Sequence, residues 1–155
     1  MSDNMISERY LQLRENALNY TNEDMNLALD DDSQIYLAVF DIPSTSITLP
    51  GNGKSLVLIF GLNTHMYFVN GEAMVDLEKN PAVMKAMQSL FISAPQVLNQ
   101  MELTTDYSYK SSSSVRAFLK TRKGVYYKEL LNETKAEKFL TMLMNNVLSS
   151  IGESL

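Results

Sequence analysis

The chain has 155 residues, a formal net charge of -5 and a sequence pI near 4.8. This length fits a single domain with a buried core, which we expect to span residues 1–155. The 45% hydrophobic content excludes a disordered chain, and the absence of cysteine excludes disulfides and thiolate metal sites. With a charged N-terminus unlike a secretory signal and no apolar run near the roughly 20 residues of a membrane span, we expect a cytoplasmic protein without membrane contact.

Apolar residues recur at spacings of three and four in the first segment, at Ile6, Tyr10, Leu13, Ala17 and Tyr20. This pattern predicts an amphipathic helix over about residues 4–19. Thr21, which is followed closely by acidic residues, is typical of a helix cap and predicts a short second helix reaching Leu29.

The next segments are typical of strands. Residues 34–42 alternate two largely apolar sets, as in a buried strand, and Pro43 ends it. We expect a short edge strand over residues 46–49, a turn over residues 50–53, and two antiparallel strands over residues 54–60 and 64–69.

A helical apolar face follows Asn80 and Pro81, with a kink expected at Pro95. Residues 115–121 and 125–130 flank a short turn and predict a hairpin, and a broad amphipathic helix begins near Thr134. The fold class is therefore α+β. We expect an antiparallel sheet of about five to six strands, with an N-terminal helix, a kinked middle helix and a C-terminal helix packed on one face.

No catalytic, metal or cofactor site is predicted. The segment Gly51–Ser55 ends like a phosphate-binding loop, but Thr48 stands where that loop needs glycine and a strand follows instead of a helix. His65 is the only histidine, which excludes the common histidine metal sites. An enzyme would be recognised by a deep pocket holding Asp41, His65 or Glu72.

A basic hairpin is the feature with a positive functional interpretation, because six of the thirteen basic residues lie between Lys110 and Lys128 without an acidic residue among them. The candidate interaction residues on it are Arg116, Phe118, Lys120, Arg122, Lys123, Tyr126 and Lys128. Cations interleaved with rings suit nucleic acid, but they also suit a solvated strand face or an acidic protein surface. The N-terminal third of a second copy, with eight acidic residues in residues 1–33, is one such surface.

The C-terminal helix carries a wide apolar face, extended by Met144, Leu148 and Leu155. One contact with the sheet needs a narrower stripe than this. We therefore expect Met144 and Leu148 to lie in an interface with a second copy or another partner.

In outline, a small acidic chain with this order of helices and strands resembles the dimeric class I chaperones of type III secretion. The resemblance covers element order and charge and carries no motif residues. We expect a non-enzymatic protein-interaction or chaperone-like assembly domain, homodimeric, of the kind found as an accessory component of a viral particle or secretion system. The alternative is a protein that binds nucleic acid or a phosphate ligand through the basic hairpin, residues 115–128.

Overall fold

The structure is a computed structural model that describes residues 6–43, 53–61 and 63–152. It has the predicted α+β fold. Its helices are α1 (Glu8–Leu18), α2 (Pro81–Ser93) and α3 (Lys135–Ile151). Its strands are β1 (Leu37–Ile42), β2 (Lys54–Ile59), β3 (Asn63–Phe68), β4 (Ala73–Met74), β5 (Glu102–Thr104), β6 (Val115–Thr121) and β7 (Gly124–Leu130).

The described strands form one antiparallel sheet of seven strands, in the order β4-β3-β2-β1-β6-β7-β5. All six residues of the central strand β1 are buried, as expected for a strand covered on both sides. The sheet exceeds the predicted five to six strands because β4 and β5 have only two and three residues. Strands this short carry too little alternation to be recognised in a sequence.

Helices cover both faces of the sheet, so the prediction that they share one face is wrong. Ala38, Phe40 and Ile42 of β1 contact the layer formed by α2, α3 and the intervening 3₁₀ segment Ala94–Gln100. Leu37 and Val39 point the other way and pack with α1. An amphipathic stripe shows that a helix has a partner, but it does not indicate which face of a sheet that partner is.

The helix α1 begins one turn later than predicted and ends close to the predicted residue. Ser7 caps it, since its hydroxyl accepts a hydrogen bond from the Arg9 amide. The second helix predicted after Thr21 is absent, and residues 22–26 form turns instead. Thr21 does exchange capping hydrogen bonds with Asp24, but Asn26 has a φ of 54°, which ends the helical geometry after one turn.

The remaining predicted elements agree with the structure wherever it describes them. Asn80 caps α2, and the chain passes into the 3₁₀ segment just before Pro95. Thr134 caps α3, and Gly152, which follows its last residue, has a φ of 90°. The predicted edge strand at residues 46–49 and most of the turn at residues 50–53 lie outside the described residues. Within the described ranges, no helix is long and apolar enough to cross a membrane.

Met144 and Leu148 of α3, which were expected to lie in an interface, belong to the core. Met144 is 0% exposed and Leu148 is 1% exposed within a single chain. Both lie in the cluster that α2, α3 and the sheet share. The broad face of α3 is wide because it contacts two neighbours at once, and Leu155 lies outside the described residues.

Candidate functional site

The register of the basic hairpin divides its residues between the two faces of the sheet. Thr121 pairs with Gly124 across a two-residue loop, and this places Phe118 opposite Tyr127 and Leu119 opposite Tyr126. Arg116, Phe118 and Lys120 therefore face α1, whereas Tyr126 and Lys128 face α2 and α3. Alternation along β6 thus puts Arg116, Phe118 and Lys120 on one face, while the register of β7 places Tyr126 and Lys128 on the other, away from them.

On the α1 side of the sheet, Phe118 and the neighbouring Arg116 are both buried. Phe118 is 0% exposed and Arg116 is 5% exposed. The Arg116 guanidinium lies 5.1 Å from the ring centroid of Phe118 and 5.2 Å from that of Tyr127. These contacts are cation-π interactions inside the chain, so Phe118 has no free face on which a base could stack.

Lys120 holds the end of α1 against the sheet. Its ammonium donates hydrogen bonds to the carbonyl oxygens of Leu18 at 2.7 Å and Tyr20 at 2.8 Å. These carbonyls belong to the last turn of the helix and the residues after it, where partners are otherwise lacking. Burial lowers the pKa of Lys120, while the nearby charge of Asp24 opposes that shift.

The cations at the turn of the hairpin and on strand β7 also form contacts within the chain, apart from Lys123. Arg122 forms an ion pair with Asp32, so the basic hairpin and the acidic N-terminal third do meet, but inside one molecule. Lys128 lies 3.7 Å from Glu137 of α3. Lys123 is exposed, and its side chain makes no hydrogen bond or ion pair with the residues that the structure describes.

Glu137, the partner of Lys128, is a buried carboxylate at the start of α3. It accepts hydrogen bonds from the Leu131 amide at 2.8 Å and the Thr134 hydroxyl at 3.1 Å. Burial acts to raise the pKa of Glu137, but these hydrogen bonds and the Lys128 charge hold it below its usual value. Lys128 therefore serves the capping of α3 rather than an exposed basic surface.

A buried charge cluster, formed by Tyr10, Arg14, Asp41, Ser55 and Arg116, lies between α1 and the sheet. The guanidinium of Arg14 donates to both oxygens of Asp41, with Nη2–Oδ2 at 2.7 Å and Nε–Oδ1 at 3.0 Å. The Ser55 hydroxyl donates to Asp41 at 2.6 Å and therefore accepts from the Tyr10 hydroxyl, also at 2.6 Å. Tyr10, Arg14 and Ser55 were not predicted as site residues. The sequence did contain one signal, the aspartate Asp41 within the otherwise apolar strand β1, because a buried carboxylate needs polar partners.

The cluster contains two guanidinium groups and one carboxylate. Arg116 Nη1 lies 3.9 Å from Asp41 Oδ2, and Arg14 also lies over the Phe118 ring at 5.3 Å. Burial, reinforced by the Asp41 charge, raises the pKa of the Tyr10 phenol, which therefore stays neutral and donates. Asp41 accepts hydrogen bonds from Arg14 and Ser55 and so connects α1 with β1 and β2 within the core.

The position of Ser55 also bears on the loop that resembles a phosphate-binding motif. Lys54–Ile59 forms strand β2, as predicted, and no helix starts there. The Ser55 hydroxyl is completely buried and bonded to Asp41, so it is not available to a nucleotide-bound metal. The geometry of a phosphate-binding loop is therefore not met at Lys54 and Ser55.

Above the cluster lies an open groove, here called the α1 groove, with a cavity volume of about 530 Å³. One wall is α1 and the other is the chain segment 105–109. The lining residues are Leu11, Arg14, Glu15, Leu18, Asn19, Thr105, Asp106, Tyr107, Ser108 and Tyr109.

The two walls of the α1 groove are joined by specific contacts. The Tyr107 hydroxyl donates to Asn19 Oδ1 at 3.0 Å, and the Tyr109 ring packs edge-on against Tyr10 at 5.5 Å. Leu11 remains 39% exposed on the α1 wall. The groove thus combines packed rings, an exposed aliphatic side chain and polar groups.

No group of three or more metal-ligating side chains occurs within the part of the chain that the structure describes. Comparison of the chain with protein-family models, with curated proteins and with solved structures finds no match. The function is therefore argued from the geometry of the α1 groove and of the charge cluster beneath it.

Proposed function

We propose that the protein is a non-enzymatic, chaperone-like protein-interaction domain that holds a segment of a partner protein in the α1 groove. The observation that carries this proposal is the groove itself, with exposed Leu11 facing Tyr107 and Tyr109 across an open cleft. Tyrosine supplies contact area with little loss of conformational freedom, which suits protein recognition, and Leu11 adds accessible apolar surface beside the rings.

The floor and walls of the α1 groove support the proposal because they are held in place without a partner. Arg14 is fixed by Asp41, and the end of α1 is held by Lys120. A binding surface that is already ordered loses less entropy on association than a mobile one. The charge cluster therefore acts as the support of the groove.

The nucleic-acid alternative is less well supported. The charged groups of the hairpin already have partners within the chain, at Arg116, Lys120 and Arg122. Phe118 is buried. The net charge of -5 opposes approach of a polyanion. Nucleic acid remains one outcome of the experiment below.

We also propose that the protein is a homodimer and acts in the cytoplasm, where a chain without cysteine needs no oxidising environment. Because Met144 and Leu148 are core residues, we place the dimer surface on the outer side of the layer formed by α2 and α3. Ile92 of α2 is 77% exposed there and Met142 of α3 is 47% exposed. Replacing both with lysine should halve the mass in solution while leaving the circular dichroism unchanged, and an unchanged mass would contradict the dimer.

The groove is tested with the double variant Leu11→Ser and Tyr107→Ala, compared with Val75→Ser as a control. Val75 is 55% exposed next to β4, at the opposite edge of the sheet from β5, so its replacement removes exposed apolar surface outside the groove. Proteins captured by the tagged wild-type chain in cells should be lost with the groove variant and kept with the control. Equal recovery by all three proteins, or capture of nucleic acid alone, would overturn the proposal.

A further inference from the structure

We infer that the segment held in the α1 groove is basic and apolar, with lysine or arginine side chains next to leucine or aromatic ones. This inference rests on the proposed function, since it names the partner chemistry of the same groove. It follows from where the negative charge of the molecule lies and from which carboxylates are already paired.

The net negative charge comes from the N-terminal part of the chain. Residues 1–33 contain eight acidic residues and two arginines, a net charge of -6, which leaves +1 for the rest of the chain. Beneath the groove, Arg14 and Arg116 share the single carboxylate of Asp41, so the negative charge available to a partner is that of the carboxylates on the groove walls. The acidic charge of this part of the sequence favours the approach of a cationic partner.

Within the groove, the carboxylates stand on opposite walls. Asp106 on the segment wall is bound by Lys110 at 2.9 Å, an exposed ion pair that a partner can exchange at little cost. Glu15 on the α1 wall is exposed, and its carboxylate makes no hydrogen bond or ion pair with any described residue. Glu15 is therefore the position at which a cation from the partner gains most.

The apolar lining of the groove explains why the partner segment needs apolar side chains in addition to cations. Leu18 is fully buried at the base of the groove, while Leu11 and the ring of Tyr107 are accessible beside Glu15. A lysine or arginine places its aliphatic stem along such rings while its charged head reaches a carboxylate. An adjacent leucine or aromatic side chain would cover Leu11, whereas an acidic segment would meet both carboxylates.

The inference is tested with two short synthetic peptides of alternating pattern, Leu-Lys-Tyr-Lys repeats and Leu-Glu-Tyr-Glu repeats, titrated into the full chain by calorimetry. The lysine peptide should bind and weaken as salt rises, and the glutamate peptide should not bind. Glu15→Lys should lower the affinity for the lysine peptide about tenfold. Glu23→Lys makes the same change of charge outside the groove and should lower it much less.

Three results would overturn the inference: equal affinity for both peptides, equal effects of Glu15→Lys and Glu23→Lys, or no binding of the lysine peptide. Equal effects of the two variants would mean that net charge alone attracts the peptide. Failure of the partner chemistry is distinguishable from failure of the proposed function. If the Leu11 and Tyr107 double variant loses its captured partner while Glu15→Lys keeps it, the groove binds a partner of a different chemistry.

Discussion

Arg14 and Asp41 form a two-pronged buried ion pair that joins the middle of α1 to the central strand of the sheet, with Nη2–Oδ2 at 2.7 Å. Both side chains are almost fully buried, so the pair exists only when α1 lies on this face. A buried ion pair contributes little net stability compared with apolar packing, but removing one partner is costly. The pair therefore specifies the position of α1, and with it one wall of the α1 groove.

Asp41→Asn should destabilise the protein more than Arg14→Met. The first change leaves Arg14 and Arg116 buried without a carboxylate between them, whereas the second leaves Asp41 with Arg116 at 3.9 Å and the Ser55 hydroxyl at 2.6 Å. We expect losses of about 3–5 kcal/mol in the free energy of unfolding for Asp41→Asn, measured by urea titration. The opposite ranking would show that Arg116 is not part of the cluster's charge balance.

Lys120→Met should release the C-terminal end of α1 while keeping the aliphatic volume of the side chain. Two charge-assisted hydrogen bonds to Leu18 and Tyr20 are lost, which should cost about 1.5–3 kcal/mol. Hydrogen exchange should accelerate at the amides of residues 15–20. Lys123→Met at the exposed tip of the hairpin is the matched control and should change stability by less than about 0.5 kcal/mol. Similar losses for both lysines would contradict the capping role.

Protonation of His65 should destabilise the fold. Its Nδ1 accepts a hydrogen bond from the Asp76 amide at 3.2 Å, which requires the neutral ring. Burial lowers the pKa of His65 below 6.5, against the opposing charges of Glu78 and Asp76. Because the unfolded chain binds the proton more readily, this contribution to stability is present above pH 6.5 and is lost as the pH falls through the lower pKa of the folded state.

The single histidine makes this pH dependence easy to measure. One imidazole resonance in the proton NMR spectrum should titrate with a midpoint below 6.5 in the folded protein. His65→Gln should remove the change in unfolding free energy between pH 7 and pH 5. A midpoint above 6.5 would show that the carboxylates of Glu78 and Asp76 outweigh burial.

Met144→Ala should behave as a core truncation. The side chain is fully buried between α3 and its neighbours, so we expect a loss of about 2–5 kcal/mol in the free energy of unfolding, with the mass in solution unchanged. Met142→Ala, at a position that is 47% exposed on the same helix, should cost under about 1 kcal/mol. A stable Met144→Ala protein with a reduced mass would restore the interface first expected at this position.

Local patterns were sufficient for much of the fold. The caps at Asn80 and Thr134 and the presence of a tight turn in the basic hairpin involve residues close together in sequence, so their chemistry can be recognised without the tertiary structure, although the turn has two residues and not the three first predicted. The same holds for the strand after Lys54, whose run of apolar residues excluded a phosphate-binding loop. Element types follow from interactions over a few residues, and these are present in the sequence.

The candidate site depended on contacts between residues far apart in the chain. Arg14 and Asp41, or Lys120 and Leu18, meet only because α1 crosses the face of the sheet opposite to α2 and α3. The sequence by itself determined that the chain is acidic, α+β and rich in basic residues near one hairpin. The tertiary structure alone decided that all of these cations except Lys123 are paired within the chain and that Met144 is core, because burial and charge pairing depend on which surfaces meet.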